Sequence, residues 1–172
     1  MNQVMNNLLT RRSIRAFNNA PIPEEELKQI LQAAIYAPSG MNRQTWQFTA
    51  LISREKIQDL AKIIEKVANR PGYNFYNPAV LVIASNERES LWGKEDNACA
   101  LENIFLAAHS FGIGSVWINQ LQGICDHQEV RAYLKALGIP KHHIVYGVAA
   151  LGYAEKEVEQ EVSKKGVIKI VE

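Results

Sequence analysis

Three arginines and a serine stand within five residues near the start of the chain, Arg11-Arg12-Ser13-Ile14-Arg15. A guanidinium is a planar fork of donors that stays charged at any working pH and matches the oxygens of a phosphate. The Ser13 hydroxyl adds a short, orientable donor. At a helix end such a cluster can hold a terminal phosphate; with no other clue it more often marks a solvated basic surface. A second stretch, Ala37-Pro38-Ser39-Gly40-Met41-Asn42-Arg43-Gln44-Thr45-Trp46, is a Pro/Ser/Gly/Asn turn that runs straight into an aromatic residue.

Other chemistries lack their residues. The serines have no G-x-S-x-G context. The histidines at 109, 127, 142 and 143 include one adjacent pair but no H-E-x-x-H and no completing acidic cluster. His109, in a helix beside apolar residues, reads as a satisfied structural histidine. Cys99 and Cys125 have neither metal nor C-x-x-C spacing and read as free thiols of a reducing compartment. Gly112-Ile113-Gly114 lacks the third glycine of a dinucleotide fingerprint and follows a helix where that fingerprint must follow a strand. If a nucleotide binds, side chains must hold its phosphate, and the arginine cluster is the candidate.

To present these groups the chain needs a helix before the first stretch and another between the two. Val4, Met5, Leu8 and Leu9 fall at helical spacing and predict a short helix over 3–10 that stops at the arginines. Residues 13–17 should be extended, with a turn at Asn18–Pro21. Pro23 suits a first helical position, and Glu24, Glu25 and Glu26 favour the positive end of the macrodipole. Leu27, Ile30, Leu31, Ala34 and Ile35 then make one apolar stripe, and the helix should end before Pro38.

Downstream, Trp46, Phe48, Ala50 and Ile52 alternate with Gln47, Thr49 and Leu51, a strand pattern. Ser53 can cap a helix over 54–69, with Ile57, Leu60, Ala61, Ile64 and Val67 on its core face. Tyr73, Phe75 and Tyr76 follow a Pro71-Gly72 break and either line a ligand pocket or close over the core. The continuous apolar run 79–84 predicts a strand buried on both faces; a polar connection containing Trp92 follows. Residues 95–111 predict the longest helix, with one stripe of Ala98, Leu101, Phe105 and Ala108 and a second of Ala100, Ile104, Ala107 and Phe111. Such a helix belongs in a domain centre or a dimer interface. A short strand over 115–118, a polar loop over 119–123, a helix capped by Asp126 with Glu129 as its capping-box partner, and a strand over 143–151 complete the order. Residues 154–165 are strongly charged and predict a surface course, and Val167–Val171 is an apolar tail with β-propensity. An apolar end after a charged connector predicts an arm that pairs with something, such as another subunit. The alternation of helices and strands predicts three layers around one central sheet, α+β or α/β.

The chain has 172 residues, 47% of them hydrophobic and 22% charged, enough for one domain with a proper core. A net charge of +1 provides no global field for nucleic acid or anionic lipid. No run approaches the ~18 apolar residues of a membrane span, and the first residues lack the pattern of a signal peptide. The expectation is a cytoplasmic protein with neither nucleic acid nor membrane as partner.

Taken together, R-R-S-I-R-x-F, a helix of about 14 residues, and A-P-S-G-x-N-x-Q-x-W-x-F resemble the FMN-dependent nitroreductase family in its short form. EDNACALENIFLAAHSFGIGSVWIN is similar to that family's central helix with the strand and loop after it, and GVAALGYAEKE to its last core strand. The resemblance covers nearly the whole chain. It implies an α+β, three-layer α/β/α fold over 1–172 as a single FMN-binding domain, dimeric, with 154–172 as an exchanged C-terminal arm. It implies that Arg11 and Ser13 hold the FMN phosphate with Arg12 nearby, and that Arg15 reaches the ribityl chain or pyrimidine edge. Pro38, Ser39, Gly40 and Asn42 would contact the flavin from the partner subunit, with Gln44 close by. Ile118, Asn119 and Gln120 would lie against the isoalloxazine, and Lys164 or Lys165 would complete the phosphate site. Thr45 stands where the family usually has proline, Asn119 and Gln120 where it often has glycines or an acidic residue, and lysines where arginine is commoner at the C-terminus.

The implied activity is an NAD(P)H-dependent oxidoreductase in which FMN carries the chemistry and no side chain is catalytic. NADH or NADPH would donate, and a nitroaromatic, quinone or related small molecule would accept, in ping-pong order. The alternatives are a flavin storage or sensing module, and the same fold with another flavin reaction such as reductive dehalogenation.

Overall fold

The computed structural model describes residues 1–156 and 163–172. Helix α1 spans Gln3–Thr10, α2 Glu24–Ile35, α3 Arg54–Val67, α4 Gly93–Ser110 and α5 Gln128–Ala136. The strands are β1 Trp46–Leu51, β2 Val80–Glu87, β3 Gly114–Ile118 and β4 His143–Gly152, with a 3-10 turn at Gly40–Asn42. The strands form one sheet in the order β1-β2-β4-β3, antiparallel throughout. That ladder decides for α+β: the helix–strand alternation looked compatible with a parallel sheet, but every connection returns its strand antiparallel.

The layers follow from side-chain parity along the strands. Leu81 and Ile83 of β2 point into one core with Ile57, Leu60 and Ile64 of α3 and Val130 and Leu134 of α5. Val80, Val82 and Ala84 point into the other, with Leu27 and Ile30 of α2 and Leu101, Ile104 and Phe105 of α4. β2 is therefore buried on both faces, as its continuous apolar run predicted. Ser53 caps α3 by accepting from the Lys56 N–H at 3.3 Å.

Several expectations are corrected. Asp126 does not cap α5; His127 holds that position without a side-chain bond. The Asp126 carboxylate is taken by Arg88, at 2.9 Å to both oxygens, and by Arg131 at 2.8 Å. α4 begins at Gly93 and lies at the domain centre, one of the two places its stripes allowed: Ala100, Leu101, Ile104 and Ala108 are inaccessible and Phe105 is 3% exposed, while Ala98, Ala107 and Phe111 are half-buried. Exposed large apolar side chains include Val4, Met5, Leu8 and Leu9 on α1, Ile35 and Tyr36 closing α2, Met41, Leu91 and the tail. Ile52 falls past the end of β1 and is exposed. The tail 167–171 forms no strand within the chain. The connector prediction lies partly on residues 157–162, outside the described residues. Phe75 closes over the α3/α5 core at 1% exposure while Tyr76 stays open.

The two sheet edges differ. Along β3, Ser13 forms a parallel bridge with Ser115, and the Ile14 N–H donates to the Ser115 carbonyl at 2.9 Å. Among the described residues nothing pairs with the outer edge of β1.

Candidate functional site

β3 is flanked by a cavity at each end. The first, about 540 Å³, is walled by Arg11 and Arg12 at the exit of α1, by His109 on α4 and by Ser115. Bridged residues project to the same face of a sheet, so Ser13 and Ser115 share one side. Ser115 is 1% exposed and its hydroxyl is buried with no protein partner, a cost that a ligand oxygen would remove. The Arg11 guanidinium lies 5.9 Å from the Phe105 ring centroid, and its Nε is 3.6 Å from the Glu102 carboxylate, a loose pair. Arg12 donates to the carbonyls of Leu9 at 2.8 Å and Arg11 at 2.9 Å, so it caps α1 as much as it lines the cavity. Arg15 is exposed.

The reading of His109 as a satisfied structural histidine holds at one ring nitrogen. The residue is half-buried, within hydrogen-bonding distance of the Thr10 hydroxyl, and faces the arginine cavity. Burial first, and then Arg11 and Arg12, hold its pKa below the ordinary imidazole value.

The second cavity, about 410 Å³, lies at the other end of β3 between Trp117–Gln120 and the loop Arg70–Tyr76. Ile118 is 8% exposed and belongs mainly to the core. The Asn119 amide oxygen accepts from the Trp117 indole N–H, and the Gln120 amide oxygen accepts from Arg70 at 2.6 Å. The Tyr73 hydroxyl is buried without a partner, and burial pushes its pKa up. From Ser115 to Asn119 is four residues, about 13 Å of strand. A cationic cavity and an aromatic one thus stand at the two ends of one strand. Sequence reasoning missed Arg70, Ser115 and His109. Of these only His109 had a visible signal, an ionisable side chain inside an apolar stretch.

The loop after α2 is fastened by a buried polar network. The Gly40 N–H donates to Asp96 at 2.8 Å, and the Thr45 hydroxyl donates to the Asn86 amide oxygen at 2.6 Å. Asn86 in turn donates to Asn97 at 2.9 Å, and both are inaccessible. Thr45 therefore gains by hydrogen bonding what a proline would give by ring constraint. Within the loop the Gln44 amide donates to Asn42 at 2.7 Å, and the Gln44 N–H reaches the Ser39 hydroxyl at 3.3 Å. Met41, Asn42 and Gln44 all have positive φ, 53°, 55° and 50°. Such a concentration of left-handed non-glycine residues is costly and needs the network to persist. Gly40 is fixed by its neighbour: an added Cβ would fall 2.5 Å from the Trp92 ring. Gly40→Ala is expected to destabilise the protein by about 1–3 kcal/mol through overpacking, read as a lowered midpoint in denaturant titration. An unaltered midpoint would show that Trp92 yields freely.

The register separates this loop from the arginines. Ser13 belongs to the row Ser115–Leu151–Val80, whereas the loop enters the sheet at the row Trp46–Asn86–Ile144. The rows are six residue steps apart along β2, about 20 Å, and three strand spacings separate β1 from β3, about 14 Å more across the sheet. Pro38–Gln44 and Arg11–Arg15 of one chain do not converge on one small molecule. Lys164 and Lys165 are exposed, beyond the undescribed 157–162.

The model of the nitroreductase family matches residues 8–74 and 68–153. The chain belongs to that family. Among its relatives, an Archaeoglobus fulgidus protein assigned provisionally as an NADH dehydrogenase/NAD(P)H nitroreductase is 33% identical over 163 residues, 91% of this chain and 88% of the relative. Among solved structures, the nitroreductase of Bacteroides fragilis with bound FMN is 43% identical, covers 100% of both chains and superposes with a TM-score of 0.95. The FMN-bound nitroreductase of Desulfitobacterium hafniense is 26% identical with a TM-score of 0.88 over 100% of both chains. This nitroreductase-family chain thus shares its whole described architecture with proteins that carry FMN. Among its described residues no helix is long and apolar enough to cross a membrane.

Proposed function

We propose that the chain is an NAD(P)H-dependent FMN oxidoreductase that works as a homodimer and reduces nitroaromatic, quinone or related small acceptors. The observation that carries this reading is the pair of cavities along β3, one cationic with an orphaned hydroxyl and one aromatic. Bound FMN supplies the hydride chemistry itself. The chain's part is to bind, orient and exclude water. Arg11 and Ser13 hold the phosphate with Ser115 beneath them, Arg12 fixes the backbone that presents Arg11, and Lys164 or Lys165 completes the charge. Arg15 serves the ribityl chain or the pyrimidine edge. Ile118, Asn119 and Gln120 bound the ring end. Pro38, Ser39, Gly40, Asn42 and Gln44 come from the second copy, because the register keeps a chain's own loop away. No side chain need move a proton in this scheme, in keeping with the lack of an acid–base pair at the site.

In this reading donor and acceptor take turns at the ring end, which is ping-pong order. The test is the visible spectrum of purified protein, followed by anaerobic mixing with NADH and with NADPH. A flavin spectrum that bleaches with either donor and returns with nitroaromatic or quinone supports the reading. A colourless protein that takes up no added FMN overturns it, and a flavin that neither donor reduces marks a storage or sensing module.

The ring-end side chains tune acceptor choice in this reading. Exchanging Asn119 and Gln120 for glycine frees the Trp117 indole and Arg70 from their amide partners. The ranking of acceptors by kcat/KM is expected to change by about tenfold or more, with FMN still bound. An identical ranking would show that these side chains do not meet the acceptor.

A further inference from the structure

His109 lies in the last turn of α4, where the helix dipole favours a cation. Its Nε2 is 2.8 Å from the Thr10 hydroxyl oxygen, and that hydroxyl reaches the Asn6 carbonyl at 2.7 Å. A carbonyl only accepts, so the hydroxyl's one proton goes to Asn6 and Thr10 must accept from His109. The Thr10 contact therefore assigns Nε2–H in both the neutral and the charged ring. Titration acts at Nδ1 alone, a lone pair when neutral and a donor when protonated. The same cavity holds Arg11, Arg12 and the unpartnered Ser115 hydroxyl.

We propose that His109 is a further anchoring residue for the cofactor phosphate, donating from protonated Nδ1 beside Arg11, and that it makes cofactor retention depend on pH. The proposal rests on the FMN reading above. Among the described residues, the charges near His109 come from α4 and the exit of α1. Arg11 and Arg12 follow α1, and Glu102 lies two turns back on α4, paired with Arg11 at 3.6 Å. The turn Gly112–Ser115 and Ala154 contribute no charge. In the free protein burial, Arg11 and Arg12 keep the ring neutral near pH 7. A phosphate dianion reverses that balance and raises the His109 pKa, so binding takes up a proton. A group whose pKa is higher in the complex gives full affinity below its free pKa, and that affinity is lost as pH rises through the complexed value.

The test titrates flavin-free protein with FMN and with riboflavin between pH 7 and 9, where the phosphate, with a second pKa of about 6, is already a dianion. Wild type should bind FMN at least about tenfold more weakly at pH 9 than at pH 7, and riboflavin with no such slope. His109→Gln should bind FMN weakly and with a flat profile; His109→Lys, charged throughout, should bind tightly and with a flat profile. Calorimetry of the unmodified protein in two buffers of different ionisation enthalpy should show proton uptake on FMN binding. Equal slopes in wild type and His109→Gln, the same slope with riboflavin, or no proton uptake would each overturn the proposal. Failure of wild type to bind FMN at any pH would instead remove the cofactor reading and this inference with it.

Discussion

Removing residues 166–172 is expected to convert a flavin-bearing dimer into a monomer that has lost most of its FMN. The tail side chains Val167, Ile168, Ile170 and Val171 are 93%, 92%, 86% and 78% exposed in the single chain. All four are β-branched and suited to a strand. Among the described residues nothing pairs with the outer side of β1, whereas the β3 edge already carries the bridge from Ser13. A tail from a second copy laid on β1 would satisfy both the edge and the apolar side chains, each fully buried one contributing about 1.5–3 kcal/mol before the cost of ordering it. The exposed Val4, Met5, Leu8 and Leu9 of α1 give the same pairing further apolar surface to cover. If the Pro38 loop of one chain meets the flavin of the other, association and FMN binding are linked, and weakening one weakens the other. The truncation keeps Lys164 and Lys165, so lost flavin could not be blamed on losing either of these two lysines, and Lys169→Gln in the full chain controls for the lysine that the truncation removes. Sedimentation velocity with flavin absorbance followed in the same cell reads both quantities at once. A fully flavinated monomer would show that one chain suffices.

What the sequence made legible was local. The helical stripes of α2 and α3, the Ser53 cap, the continuous run of β2 and the arginine cluster each lie within a few residues of chain, and each is present. What escaped depends on partners far apart in sequence. Asp126 followed by Glu129 is a sound capping signal, yet Arg88, 38 residues earlier, claims the carboxylate. The two apolar stripes of α4 allowed either a domain centre or a second chain, and only the packing of the sheet and α2 against them decides for the first. Ser115 looks like any strand serine until its bridge to Ser13 places it under the arginines. Arg70 looked like part of a helix exit until the fold brought it to Gln120, 50 residues on. The antiparallel ladder was beyond reach because element order alone does not set strand direction. The loop 38–44 was legible as chemistry, but its distance from Arg11 required the register.

Arg11→Ala is expected to weaken FMN binding by about 10- to 150-fold, the worth of a charge-assisted hydrogen bond set of about 1.5–3 kcal/mol. The fold should survive. In the structure Arg11 makes one cation–π contact with Phe105 and one loose, partly exposed pair with Glu102. The first contributes about 0.5–1 kcal/mol and the second about 0–1 kcal/mol. A small drop in the unfolding midpoint with a large drop in FMN affinity is thus the signature of a binding role. Arg11→Lys should recover part of the affinity, since a point charge remains while the planar fork is gone. Glu102→Gln should act in the opposite direction. It removes the carboxylate that competes with the phosphate for the guanidinium, and FMN should bind about two- to fivefold more tightly, the worth of an exposed ion pair. Titration of flavin-free protein, followed by flavin fluorescence, measures all three variants against wild type. The opposed signs at positions 11 and 102 separate a phosphate at this cavity from a general loss of positive charge. If Arg11→Ala and Glu102→Gln both leave the FMN dissociation constant unchanged, the phosphate sits elsewhere and the cavity beside Arg11 serves another ligand.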